Sequence, residues 1–145
     1  DTYRAIFAER RKELIPKLFP CVHEVLHRLH SEGYTLTIAT SRLTDSLLLF
    51  MREHKIDHYF SYVVGSDSVT HHKPHPEPSL KILDALGFKP SEAIMVGDMP
   101  VDISMAHGAG IRAVAVTYGN ATRAELEASN ADWIIDSFDE LLNII

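Results

Sequence analysis

The sequence predicts an α/β domain in which a doubly wound parallel sheet is covered by helices on both faces. Three observations lead there. Short β-branched and apolar runs alternate with amphipathic helical stretches from residue 21 to the end of the chain, the rhythm of strand and crossover helix. Glycines or capping pairs punctuate the stretches at the expected ends. Polar residues able to do chemistry follow the apolar runs directly, at the edge where open parallel sheets collect ligands. With 145 residues, 46% hydrophobic and 23% charged, the chain suits one globular domain with a real core.

Each element has its own reason. Val22, Val25, Leu26 and Leu29 recur at helical spacing after Pro20, and Gly33 supplies a stop, so residues 21–32 form a helix. Tyr34–Ala39 (YTLTIA) is too short for a helix, is rich in β-branched residues and ends in Thr40-Ser41, which makes it a strand. Leu43–His54 is a helix, Tyr62–Gly65 a short strand, and Glu77–Leu86 a helix closed by Gly87. Ala93–Gly97 (AIMVG) is a buried strand, Val101–His107 a short helix stopped by Gly108, and Arg112–Thr117 another strand. Thr122 with Glu125 and Ser137 with Glu140 are capping boxes that open helices on either side of the strand Trp133–Ile135. The opening stretch Asp1–Leu18 breaks the alternation and reads as a charged helix outside the core.

Composition removes several function classes. Fourteen Lys and Arg against twenty Asp and Glu give a net charge of −6, and the basic residues are scattered, which argues against nucleic-acid or anionic-membrane partners. Cys21 is the single cysteine, so no internal disulfide and no cysteine-based zinc site forms, as expected of a reducing, cytoplasmic setting. No apolar run approaches the ~20 residues of a membrane helix, and the polar start lacks a secretory signal.

The polar residues that follow the strands fall into three groups. Thr40 and Ser41 end the first strand, Lys73 lies in the loop SDSVTHHKPHPEP after the second, and Asp98 and Asp102 follow the third as GDMPVD. Asp102 sits one turn into the next helix and can face the same point as Asp98. Two hard carboxylates suit Mg²⁺, which takes one or two of them with water and substrate phosphate. Thr40, Lys73 and the N–H groups of the helix after Ser41 suit a phosphate dianion. Taken singly, Thr40 is an ordinary strand-end residue, Lys73 a solvated lysine, and the aspartates helix-start residues favoured by the macrodipole. Their shared position one step past a strand outweighs those readings.

The segments LTIATSR, HHKPHPEP and IMVGDMPVDISMAHGAG resemble the second, third and fourth motifs of the haloacid dehalogenase-like hydrolases, in that family's order. LFPCVHEVLHRLHSEG resembles the point where the chain re-enters the Rossmann-like core from a helical cap, with Cys21 where relatives often have glycine. His72 likewise replaces the usual glycine before the motif lysine. The tail from Ala115 onward is most similar to phosphoglycolate phosphatase-like members. The resemblance implies residues 1–18 as the tail of a cap and hinge, and 19–145 as a phosphatase core. It implies that Thr40 hydrogen-bonds the phosphoryl group, Ser41 offers its backbone N–H, Lys73 neutralises charge, and Asp98 holds Mg²⁺. Asp102 would act on the metal through water or by orienting neighbours. The implied reaction is hydrolysis of a small phosphate monoester through an aspartyl-phosphate.

The family's first motif, a strand ending in Asp-x-Asp that supplies nucleophile and general acid/base, has no counterpart in the sequence. That strand belongs in the middle of the sheet, between those ending at Thr40 and Asp98. These two strands should therefore not pair directly. The slot should be filled by residues upstream of Asp1 or by another chain, and residues 1–145 alone should be inactive. Other readings are a phosphomutase of the same superfamily, or a non-catalytic binding protein on the same core. In a receiver domain the acids precede the threonine and lysine, the reverse of the order here, and a dehalogenase needs no metal. His71, His72 and His75 crowd one loop and suggest zinc. Against it, adjacent side chains in an extended loop diverge, no cysteine assists, and Lys73 repels a cation.

Overall fold

The computed structural model describes residues 5–8 and 22–145. Among these, β1 (Ala5–Ala8), β2 (Thr35–Ala39), β3 (Phe60–Val64), β4 (Ala93–Gly97), β5 (Arg112–Val116) and β6 (Trp133–Ile135) form one sheet. Its order is β3-β2-β1-β4-β5-β6, and every neighbouring pair is parallel. The helices are α1 (Val22–Ser31), α2 (Thr44–Glu53), α3 (Glu77–Leu86), α4 (Pro100–Gly108) and α5 (Arg123–Ala128). This is the doubly wound α/β architecture expected from the sequence.

The centre of the sheet corrects one expectation. β2 and β4 do not pair with each other, as predicted, but the strand between them is the chain's own β1. Ala5 stands opposite Thr35 on one side and Ala93 on the other, and Ala8 opposite Ile38 and Val96. Residues 5–8 were expected to be helical. A four-residue apolar run such as AIFA is ambiguous between the two states. An open central slot would leave two rows of unpaired N–H and C=O groups facing one another, so pairing decides it. The rest of the expected cap tail, and Cys21, lie outside the described residues.

Both faces of the sheet are buried, and the strands alternate between them. Ile94, Val96, Val114 and Val116 join α1, α2 and the C-terminal segment in one core. Ala93, Met95, Ala113 and Ala115 point the other way, into the core under α3, α4 and α5. The alanines on this second face let α4 lie close to the sheet. Fully buried side chains such as Leu29, Ile94 and Ile103 each contribute roughly 1.5–3 kcal/mol. Val22, Val25, Leu26 and Leu29 form the buried stripe of α1 predicted from their spacing, and Gly87 closes α3 in the left-handed region at φ +73°.

Two boundaries differ from the sequence reading. β3 starts at Phe60 rather than Tyr62. As an edge strand it buries only Val64 fully, and its register against β2 shifts between Leu36 and Thr37, which blurs the alternation. The segment after Ser137 carries its capping box, with Glu140 accepting the Ser137 N–H at 2.8 Å, but Phe138–Asn143 is a 3-10 helix. Its buried anchors Phe138 and Leu141 are three residues apart, which matches the 3-10 repeat.

Candidate active site

Because all strands are parallel, their carboxyl ends share one edge. Thr40 follows β2 and Asp98 follows β4, on either side of β1, about two strand spacings or ~10 Å apart. Lys73 comes from the loop after β3. It crosses that edge to Asp102 in the first turn of α4, with Nζ 2.7 Å from Oδ1. The Lys73 side chain is 9% exposed and that of Asp102 fully buried.

Asp102 is held by three donors. Its Oδ2 accepts the Asp98 N–H at 3.2 Å and the Met99 N–H at 3.0 Å, so one carboxylate satisfies two donors of the turn and anchors the lysine. Gly97 makes this possible, because a Cβ there would collide with the Asp102 side chain. Of the two roles expected of Asp102, these contacts belong to the orienting one.

Asp98 is 5% exposed and is braced from the neighbouring strand. Oδ2 accepts the Asn120 backbone N–H at 3.2 Å and the Asn120 Nδ2–H at 3.3 Å. A Cβ at Gly119 would collide with Asp98, so Gly119-Asn120 forms a close-fitting wall against this carboxylate. A buried, oriented carboxylate at a strand end has the hard-oxygen character that Mg²⁺ takes alongside water and phosphate. Asp98 fits that ion as ligand, with Asp102 and Lys73 behind it. The sequence reading missed Asn120. It lies four residues past β5, so a search for polar residues directly after each strand stops at Thr117 and passes it over.

Thr40 is 8% exposed, with its N–H bonded to the Val64 carbonyl at 2.9 Å and its Oγ1 accepting the Arg42 N–H at 3.1 Å. Ser41 is exposed beside it. The helix expected to open after Ser41 begins at Thr44, and its first N–H is taken. The Thr44 N–H and hydroxyl both donate to Asp67 Oδ1, at 2.9 and 2.7 Å. These two bonds hold the Asp67 carboxyl below the usual range. Asp67 therefore ties the β2 and β3 loops together, and of the anion-binding donors foreseen there, Thr44 is committed to Asp67 and Arg42 to Thr40.

The loop carrying Lys73 is shaped by Glu77, the first residue of α3. One carboxylate oxygen accepts the Thr70 N–H at 2.9 Å, and the other accepts the His71 N–H at 2.9 Å and meets His71 Nδ1 at 3.0 Å. Those N–H bonds lower the Glu77 carboxyl from its ordinary 4.5 to about 2. His72, in the position of the family's usual glycine, sets its Nε2 3.0 Å from the Ser66 carbonyl oxygen. Lys73 still reaches Asp102.

Comparison with known proteins bears on this arrangement. The model of the haloacid dehalogenase-like hydrolase family matches residues 1–116. A phosphoglycolate phosphatase of Haemophilus influenzae is 37% identical over 131 residues, which is 90% of this chain and 58% of the relative. The pyrophosphatase PpaX of Bacillus mycoides is also 37% identical, over 99% of this chain and 66% of its own length. The crystal structure of a predicted phosphoglycolate phosphatase from Haemophilus somnus superposes with a TM-score of 0.85 at 36% identity, over 88% of this chain and 57% of that one. The chain thus spans about three fifths of the length of such relatives.

Proposed function

The chain belongs to the haloacid dehalogenase-like hydrolase family, and from that premise we propose that it supplies the core of a Mg²⁺-dependent phosphatase for small phosphate monoesters. The observation that carries the reading is the Lys73–Asp102–Asp98 group at the carboxyl edge of the sheet, with Asp102 fully buried and bonded to both the lysine and the turn that bears Asp98. In this role Asp98 would hold Mg²⁺, which would supply charge neutralisation for the transferring phosphoryl group. Lys73, aimed by Asp102 at 2.7 Å, shares that task. Thr40 and the Ser41 N–H, on the other side of β1, bind the phosphoryl oxygens, and Asn120 holds Asp98 in one orientation.

The nucleophile in this reading is an aspartate that attacks phosphorus and is later released by water. Asp-x-Asp occurs nowhere in the sequence, and the residues after β1 are Glu9-Arg10-Arg11. Two relatives of equal identity carry the names phosphoglycolate phosphatase and pyrophosphatase, so the substrate is assigned here only as a small phosphorylated metabolite.

A phosphatase assay with two arms tests the proposal. Residues 1–145 alone should release no phosphate from p-nitrophenyl phosphate, with or without Mg²⁺. The same residues preceded by a segment whose Asp-x-Asp strand takes the place of β1 between β2 and β4 should do so only with Mg²⁺, and Asp98→Ala should lower that rate by roughly 100-fold or more. Turnover by residues 1–145 alone would reveal an overlooked nucleophile. Metal-independent turnover in the second arm, or indifference to Asp98→Ala, would overturn the assignment.

A further inference from the structure

We propose that His71, His75 and Glu77 form a binding site for a transition-metal dication of the Zn²⁺ class, outside the Lys73–Asp102–Asp98 group. One ligand atom from each of the three lies within 4.8 Å of the other two. The inference does not depend on the phosphatase reading.

The structure answers each objection that the sequence raised. Adjacent side chains do diverge: His71 turns to Glu77 and His72 to the Ser66 carbonyl. But the chain turns back on itself, with the His75 N–H bonded to the His72 carbonyl at 3.0 Å. That turn brings the His75 ring onto the His71 ring, with centroids 4.5 Å apart and planes inclined by 20°. The charge of Lys73 is directed away and compensated by Asp102 at 2.7 Å. Cysteine is not required, because two imidazoles and one carboxylate are a ligand set that Zn²⁺ accepts, with water in the fourth position.

The geometry is partly prepared. Two ligands at ~2.0 Å from a tetrahedral ion stand ~3.3 Å apart, and His71 Nδ1 lies 3.0 Å from Glu77 Oε1. A cation there would replace the proton those atoms share. Glu77 is fixed by the Thr70 and His71 N–H groups. His75 Nδ1 accepts the Glu77 N–H at 3.0 Å, so a cation takes His75 only by displacing that N–H from Nδ1 or the ring proton from Nε2. The N–H bonds to Glu77 raise affinity by holding that ligand in place. The remaining closure is a rotation of exposed side chains. Imidazole nitrogen favours Zn²⁺, Ni²⁺ or Cu²⁺ over Mg²⁺, so this site and the Asp98 carboxylate select different ions. A metal bridging His71 and His75 would also close the turn on both sides of Lys73.

The test is calorimetric titration of the metal-stripped chain with ZnSO₄ near neutral pH, in the presence of excess Mg²⁺. One Zn²⁺ should bind per chain. His71→Ala and His75→Ala should each weaken that binding by ~10-fold or more, while His58→Ala and His107→Ala leave it unchanged. Both site histidines are exposed, so equal thermal midpoints will show that the variants are folded. A dissociation constant above about 100 µM in the parent chain, displacement by Mg²⁺, or the same affinity in both site variants would overturn the proposal.

Discussion

Asp102 and Glu77 are the same device at two depths. Each is an acidic residue in the first turn of a helix, and each gathers two backbone N–H groups from the preceding loop together with one basic side chain. Asp102 is fully buried and its partner, Lys73, is 9% exposed. Glu77 is 28% exposed and its partner, His71, 61%. Burial changes what the shared arrangement is worth. In low dielectric an ion pair cannot lose one member without stranding the other, whereas at the surface water takes over most of the lost interaction. The two act in series: Glu77 shapes the loop, and two residues beyond His71 that loop delivers Lys73 to Asp102.

The largest expected effect breaks the buried pair. Lys73→Met keeps an apolar stem but leaves Asp102 charged with only its backbone donors, and should destabilise the chain by about 3 kcal/mol. His71→Ala, the matching change at the surface, should cost about 0–1 kcal/mol. Urea denaturation of the three proteins measures both. If the two variants lose similar stability, depth is not what separates the carboxylates.

The contrast also explains what could be read in advance. Asp98 and Asp102 were legible because a buried strand forces regular alternation, so its end, and the groups just beyond, can be located from residue types alone. The same holds for Thr40 after β2. Glu77 and Asp67 were not, because their bonds to Thr70 and to Thr44 depend on the path of irregular loops, and loop geometry leaves no periodic trace. The expectation that the His71–His75 loop is extended and its adjacent side chains diverge holds for His71 and His72, but a turn from His72 to His75 brings His75 back to His71. The central strand was misread for a different reason. Four apolar residues specify neither helix nor strand, and the sheet's unpaired edges, which are a property of the whole fold, decide between them.

A smaller effect is expected at Asn120, which sharpens the description of the deep site. Asn120→Ala removes the Nδ2 donor to Asp98 but keeps the backbone N–H, so stability should fall by only about 1 kcal/mol. If Asp98 holds Mg²⁺ as proposed, losing this brace should weaken Mg²⁺ binding by roughly 10-fold. Titration calorimetry separates the two quantities. Unchanged Mg²⁺ affinity alongside the stability loss would leave Asn120 as a packing residue only.

The smallest effect on the whole chain is also the one most specific to the exposed carboxylate. The Glu77 carboxyl is held at about 2 in the folded chain against an ordinary 4.5, so folding favours its ionised form. Its contribution is complete above pH 4.5 and fades as the pH falls towards 2, where the folded carboxylate takes up its proton. Because the group lies near the surface, this should appear as a local loosening of the loop. The amide proton signals of Thr70 and His71, which depend on the carboxylate, should titrate with a midpoint near 2 and should lose that transition in Glu77→Gln. A midpoint near 4.5 would mean that the backbone donors do not grip Glu77 in solution, and the likeness between the two carboxylates would then end at Asp102.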